Sequence, residues 1–117
     1  MNFDPTECGS LGYMAPEVLS RKNIMANLAI DIWAMGVILY ELLHGYLPFK
    51  GASKHERMEK IVKGVFVIDP VVRASTSEEC LDLLQRMLTV DYEQRINIFH
   101  IVRHPWILGE KLEKYAF

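Results

Sequence analysis

The sequence predicts a mostly α-helical domain of 117 residues with no confident sheet. Three observations carry that expectation. From Leu28 to Leu43 the apolar residues fall on every side of a helical wheel. Two Ser/Thr-x-x-Glu boxes, Ser53 to Glu56 and Thr76 to Glu79, open further helical stretches. The one run with strand propensity, Val65-Phe-Val-Ile68, is alone and has nothing to pair with.

Taken in order, residues 1–17 are rich in Pro, Gly, Ser and Thr and read as an extended loop closing in a short turn at Pro16-Glu17-Val18-Leu19. Pro16 suits a first helical position, where its missing N–H would be unsatisfied anyway. Residues 20–27 form a polar connection with Asn27 as candidate N-cap. The central helix follows over 28–44, with Gly45 placed for a left-handed C-cap. A helix apolar all round is either a membrane span or the buried centre of a domain. A span needs about 20 apolar residues. The run Ile32 to Tyr40, closed by Asp31 and Glu41, is too short, so the centre of a soluble domain is expected.

Gly45-Tyr-Leu-Pro-Phe-Lys-Gly51 is a turn-rich exit that lets Leu47 and Phe49 fold back on the core. Helices are expected over 54–63, ended by Gly64, and over 77–88, where Cys80, Leu83, Leu84, Met87 and Leu88 hold an i, i+3, i+4 pattern. Residues 65–68 read as extended chain burying some of their apolar side chains. A loop through Asp91 and Arg95 leads to a short helix over 98–103 capped by Asn97 and stopped by His104-Pro105. The tail, 108–117, is expected to continue weakly or fray.

With 50 % apolar residues, a chain of this length can bury one core as a single domain. A net charge of −2, without a basic stripe, argues against nucleic acid, and no polybasic or lipidation signal points to a membrane surface. The first residues lack the basic and apolar blocks of a secretory signal. Cys8 and Cys80 have no metal-type spacing. Two lone thiols suit a reducing, intracellular and cytoplasmic setting better than a disulfide, which stays the less favoured alternative.

At Gly9-Ser-Leu-Gly-Tyr-Met-Ala-Pro-Glu17 the chain resembles the end of a protein-kinase activation segment. Then come Asp31-x-Trp33-x-x-Gly36, Tyr40-Glu41-Leu42-Leu43-x-Gly45-x-x-Pro48-Phe49, Arg95 and His104-Pro-Trp-Ile107. Order and spacing are similar to the latter half of a eukaryotic protein-kinase catalytic domain, from about Thr6 to Ile107, on the serine/threonine branch. The resemblance implies the helical C-terminal lobe of a kinase-like fold, truncated, without the N-terminal β lobe. The sequence holds no glycine-rich loop, no Val-Ala-Ile-Lys lysine, no His-Arg-Asp loop and no Asp-Phe-Gly, the parts that position ATP and magnesium in the family. No catalytic, ATP-binding or metal residue is therefore assigned, and no cofactor is expected for this chain. It reads as a kinase fragment inactive alone, or alternatively as a pseudokinase-like binding or scaffold module.

The resemblance also suggests roles residue by residue. Thr6 matches an activating phosphosite, against a plain solvated threonine, and Ser10 reads as a spectator whose family partners are not in the sequence. Leu11 and Met14 match the wall of the pocket for the residue after the phosphoacceptor. Glu41 matches a position that accepts a substrate arginine in basophilic members, against a helix-end glutamate facing solvent. Glu17 and Arg95 are expected to form a buried structural ion pair. Asp31, Trp33, Gly36 and Trp106 are assigned to the structural core, with the reservation that Asp31 meets water if nothing covers it. Expected partners are a protein or peptide substrate, or a partner covering an exposed core face tentatively carrying Ile32, Met35 and Leu39.

Overall fold

The computed structural model of the chain describes residues 11–20 and 28–112. A 3-10 turn at Leu11–Tyr13 is followed by α1 (Pro16–Leu19), α2 (Leu28–His44), α3 (Lys54–Lys63), α4 (Pro70–Ser75), α5 (Glu78–Met87), α6 (Ile98–Ile101) and α7 (Pro105–Leu108). The described residues contain no strand. The cap expected at Asn27 lies outside them, as do Thr6, Cys8 and Ser10.

Helix α2 is the long central element. It ends where Gly45 takes φ 81°, a left-handed conformation that a glycine adopts without strain. Its buried side carries Ile32, Trp33, Gly36, Val37 and Tyr40. Trp33 is fully buried and stacks on Phe49 at 5.6 Å, so the turn after α2 does fold back on the core. Gly36 is where α2 and α5 come closest. A Cβ there would stand 2.9 Å from the Cβ of Met87 and 3.0 Å from a methyl of Leu88, so a glycine permits the approach.

Two apolar clusters form the core. The larger gathers Trp33, Val37 and Tyr40 with Leu11, Phe49, Ile61, Ile68, Leu84 and Leu88. The smaller sets Ile32 against Leu83, Met87, Ile96 and Ile101, and half-buried Leu39 packs on both.

Local signals fix most helix ends. Ser53 Oγ accepts from Glu56 N, while Glu56 Oε2 accepts from Ala52 N, so the box at the start of α3 closes from both sides. Gly64, at φ 68°, ends α3 with two backbone bonds. Residues 65–69 form neither helix nor strand, with Ile68 buried and Val67 exposed.

Several expectations need correction. α5 is capped by Ser77, whose hydroxyl accepts from Cys80 N, and not by Thr76 one residue earlier. Helix α4 was not anticipated. Asp69 caps it through Val71 N and Pro70 opens it, a start signal in a segment too short to show a helical period. α6 stops at Ile101, before the expected 103, and His104-Pro105 starts α7 as well as ending what precedes it. Trp106 is 41 % exposed and is no core plug, because α7 turns it outward. Asp31 is also exposed and not part of the core. Finally, the open face of α2 does not carry Ile32, which is 3 % exposed under α5 and α6. It carries Leu28, Asp31, Met35, Ile38 and Leu42.

Candidate substrate-docking site and its anchor

The turn ahead of α1 and the end of α1 begin as residues that bury themselves: Leu11, Met14 and Ala15, then Leu19, all join the larger core cluster. That burial holds Glu17 inward, 3 % exposed, on the first turn of α1. A carboxylate there needs a partner, and Arg95 supplies it. Its Nη1 and Nη2 donate to the two oxygens of Glu17, each at 2.9 Å. The remaining guanidinium hydrogens reach the carbonyls of Ala29 at 2.6 Å, Thr89 at 2.9 Å and Val90 at 3.2 Å. All five N–H donors of Arg95 are thus satisfied, and the guanidinium lies 5.0 Å from the Trp33 ring centroid. One side chain joins α1, the start of α2 and the loop after α5.

Beside this anchor, Tyr13 reaches across to α2. Its hydroxyl donates to Glu41 Oε1 at 2.9 Å. The hydrogen bond to that carboxylate, then burial and the Glu41 charge, push the Tyr13 phenol above its ordinary value. Glu41 stays partly exposed, one oxygen fixed by Tyr13, on the last turns of α2. Leu11 and Met14, expected to wall a peptide pocket, are 2 % and 8 % exposed and spend their side chains on the core. Gly36 and Trp33 lie in the core between Arg95 and α5.

Sequence reasoning missed two polar clusters. His104 is fully buried; its Nδ1 accepts from Trp106 N at 3.1 Å, so its Nε2 carries the proton and donates to Asp82 Oδ2 at 2.7 Å. Arg86 Nε donates to the same oxygen at 2.8 Å. Burial alone would raise the Asp82 carboxyl, but the hydrogen bonds from His104 and Arg86, with the Arg86 charge, hold it below the usual carboxylate range. The hint was the His104-Pro105 stop, where the structure places a cap; Asp82 had no signal, being one acid among several on α5. In the second cluster His44 stacks on Tyr40 at 3.7 Å, accepts from Asp69 N at 3.1 Å and lies 3.0 Å from the Tyr40 carbonyl.

Neither cluster makes a cation site. Among the described residues no three His, Cys, Asp or Glu side chains come together as a metal ion would require. The carboxylates of Glu17 and Asp82 are already taken by Arg95, and by His104 and Arg86. Cys80 is a buried free thiol whose pKa is pushed up by burial, the opposite of an activated nucleophile. Among the described residues neither cluster fits magnesium-nucleotide. No helix among the described residues is long and apolar enough to cross a membrane.

Comparison with known proteins agrees with this geometry. The sequence matches the family described as the protein kinase domain over residues 3–107. It is 40 % identical over 108 residues to the serine/threonine-protein kinase cds1 of Schizosaccharomyces pombe, covering 89 % of this chain and 24 % of that protein. It is 39 % identical over 104 residues to the calcium/calmodulin-dependent protein kinase type 1 of Macrobrachium nipponense, covering 89 % and 30 %. Among solved structures it superposes on the autoinhibited serine kinase domain of titin with a TM-score of 0.77 at 28 % identity, over 90 % of this chain and 32 % of that one. The chain thus spans a third or less of these relatives.

Proposed function

The chain belongs to the protein kinase domain family, with serine/threonine kinases as its relatives, and from that premise we propose that it is the part of such a kinase that anchors the activation segment and docks the substrate peptide. The observation carrying this reading is the Glu17–Arg95 pair, which ties the Ala15-Pro16-Glu17 turn to the start of α2 and the loop after α5 and so supports a fixed bed for a peptide beside that turn.

Glu41 supports a preference for a basic residue in that peptide. Tyr13 holds one of its oxygens and sets the carboxylate's orientation, and the other oxygen is the acceptor for a substrate guanidinium. Thr6, just upstream, is proposed as a regulatory phosphosite. Phosphoryl transfer to serine or threonine, which resembles what the relatives' names state, belongs to a whole kinase. The chain is proposed to be inactive alone, since neither polar cluster among its described residues fits ATP-magnesium, and to work in the intracellular space with protein partners and without nucleic acid or membrane.

A second reading, a non-catalytic binding or scaffold module, is supported by the open apolar face of α2. Titration of the isotope-labelled 117-residue chain separates the two. Under the first reading an arginine-containing serine peptide shifts the Tyr13 and Glu41 resonances, Glu41→Gln weakens it about tenfold, and ATP-magnesium at millimolar concentration shifts nothing. Nucleotide binding at micromolar ATP overturns the assignment of inactivity; indifference to basic peptides overturns the docking role.

A further inference from the structure

Among the described residues four hydroxyls follow a lysine or arginine by two or three positions, the placing read by a kinase that docks a basic residue ahead of its acceptor. Ser53 follows Lys50, Ser75 and Thr76 follow Arg73, and Thr89 follows Arg86. The sequence does not choose among them; hydrogen bonding does. Ser53 Oγ accepts from Glu56 N as the cap of α3, and Lys50 lies 3.2 Å from the Tyr46 ring centroid. Ser75 Oγ donates to the carbonyls of Val71 and Val72 in α4. Thr89 Oγ1 donates to the Gln85 carbonyl, and Arg86 is held on Asp82.

Thr76 is left. Its hydroxyl makes no hydrogen bond among the described residues. The side-chain atoms there that are both buried and unbonded are Trp33 Nε1 and Arg57 Nε, so the Thr76 oxygen reaches water. Thr76 and Ser77 link α4 to α5 in extended backbone, at φ −117°, ψ 141° and φ −63°, ψ 149°. Arg73 is exposed and pairs with no carboxylate among the described residues. Helix α4 buries none of its six residues, so the turn around Arg73 opens at little cost. Nothing from 70–79 borders the open face of α2, where Met35 and Leu42 stand beside Trp106.

We propose that Thr76 is a phosphorylation site, taken by a protein kinase that reads Arg73 three residues ahead of it. The γ-phosphoryl group of ATP passes to Thr76 Oγ1, the bond to ADP breaks and the hydroxyl proton is released. The phosphate then stands one residue before the Ser77 cap of α5, where the helix amides favour negative charge. Against Glu78 and Glu79 in the same turn, Arg73 supplies the countercharge. The inference goes beyond the docking role and the Thr6 assignment above and depends on neither.

The test uses the folded 117-residue chain, ATP-magnesium and a serine/threonine kinase whose activity on synthetic peptides requires an arginine three residues before the acceptor. Sites are mapped by tandem mass spectrometry, with synthetic peptides 70–80 and 83–93 run alongside. Both peptides should be phosphorylated, because only the fold holds Thr89. In the chain the phosphate should appear on Thr76 alone. Thr76→Val should abolish it and Arg73→Ala should slow it at least about tenfold, with helicity unchanged in both, whereas Lys50→Ala should leave the rate as it is. Phosphate on Ser53, Ser75 or Thr89 of the chain overturns the proposal, as does a chain left unmodified, whether or not peptide 70–80 reacts. Equal rates with and without Arg73 also overturn it.

Discussion

Arg95 faces Glu17 through two parallel hydrogen bonds of 2.9 Å, with side-chain exposures of 0 % and 2 %. Two charges so far from water are stable only while each answers the other. Removing one partner strands the other, which typically destabilises by about 3–5 kcal/mol. Glu17→Gln and Arg95→Met singly should each lower unfolding free energy by that order in urea titrations, and the double variant by less than the two together. Arg95→Lys should rescue little, because an ammonium cannot reach both oxygens and the carbonyls of Ala29, Thr89 and Val90 at once. Single losses below about 1 kcal/mol, the range of surface pairs, would remove the anchor from the explanation.

Gly36 should be intolerant of a side chain. Alanine is the better helix former by about 1 kcal/mol. A methyl at this site meets Met87 and Leu88 at 2.9 and 3.0 Å, however, and overpacking of a tight core typically outweighs that gain at about 1–3 kcal/mol. Gly36→Ala should therefore destabilise modestly and Gly36→Val strongly. A thermal midpoint raised by Gly36→Ala would show that α2 and α5 are not held this closely.

Tyr40 sets an alkaline limit. Burial first, then the neighbouring Tyr46 and Asp69, push its phenol up to about 12 from 10.0, and its hydroxyl donates to the Val67 carbonyl. The fold favours the neutral phenol, so this contribution is complete below pH 10 and is lost as pH rises from 10 towards 12. Chemical denaturation across that range should show stability falling, and Tyr40→Phe should flatten the fall while lowering stability at neutral pH. An equally steep slope in the variant would assign the effect elsewhere.

Asp82 sets the acid limit. Its carboxyl is held below the ordinary 3.8, so the charged form is favoured in the fold. Its contribution is present above the unfolded value and lost as pH falls through the lower, folded one. His104 works in the same network, its Nδ1 accepting from Trp106 N while Nε2 meets Asp82. Asp82→Asn should reduce the acid dependence of stability, and His104→Ala should cost about 1–3 kcal/mol by leaving the α7 amide and Asp82 short of partners. If α7 remains equally protected from hydrogen exchange in His104→Ala, the cap is not what holds it.

Much of this was legible because its causes are local. Ser53 and Glu56 meet within one turn, Gly64 and Gly45 stop helices by their own backbone freedom, and Asn97 caps α6 through an amide three residues on. Residues read through the family resemblance, Glu17 and Arg95, stand in contact although 78 positions apart. What escaped notice was either very short, as α4, or decided by packing direction. Trp106 and Asp31 have residue types and positions that suit a core or a rim alike, and only the orientation of α7 and the open side of α2 exposed them.

By itself the sequence determined the order of the longer helices, α2, α3 and α5, most of the turns that separate them, and the motif set that marks the family, because each rests on backbone preference or on contacts within a few residues. Only the tertiary structure decided which flank of an evenly apolar α2 is covered. An all-round apolar helix has no preferred inward side until neighbours choose one, and here α5 and α6 took Ile32 while Met35, Ile38 and Leu42 were left to water.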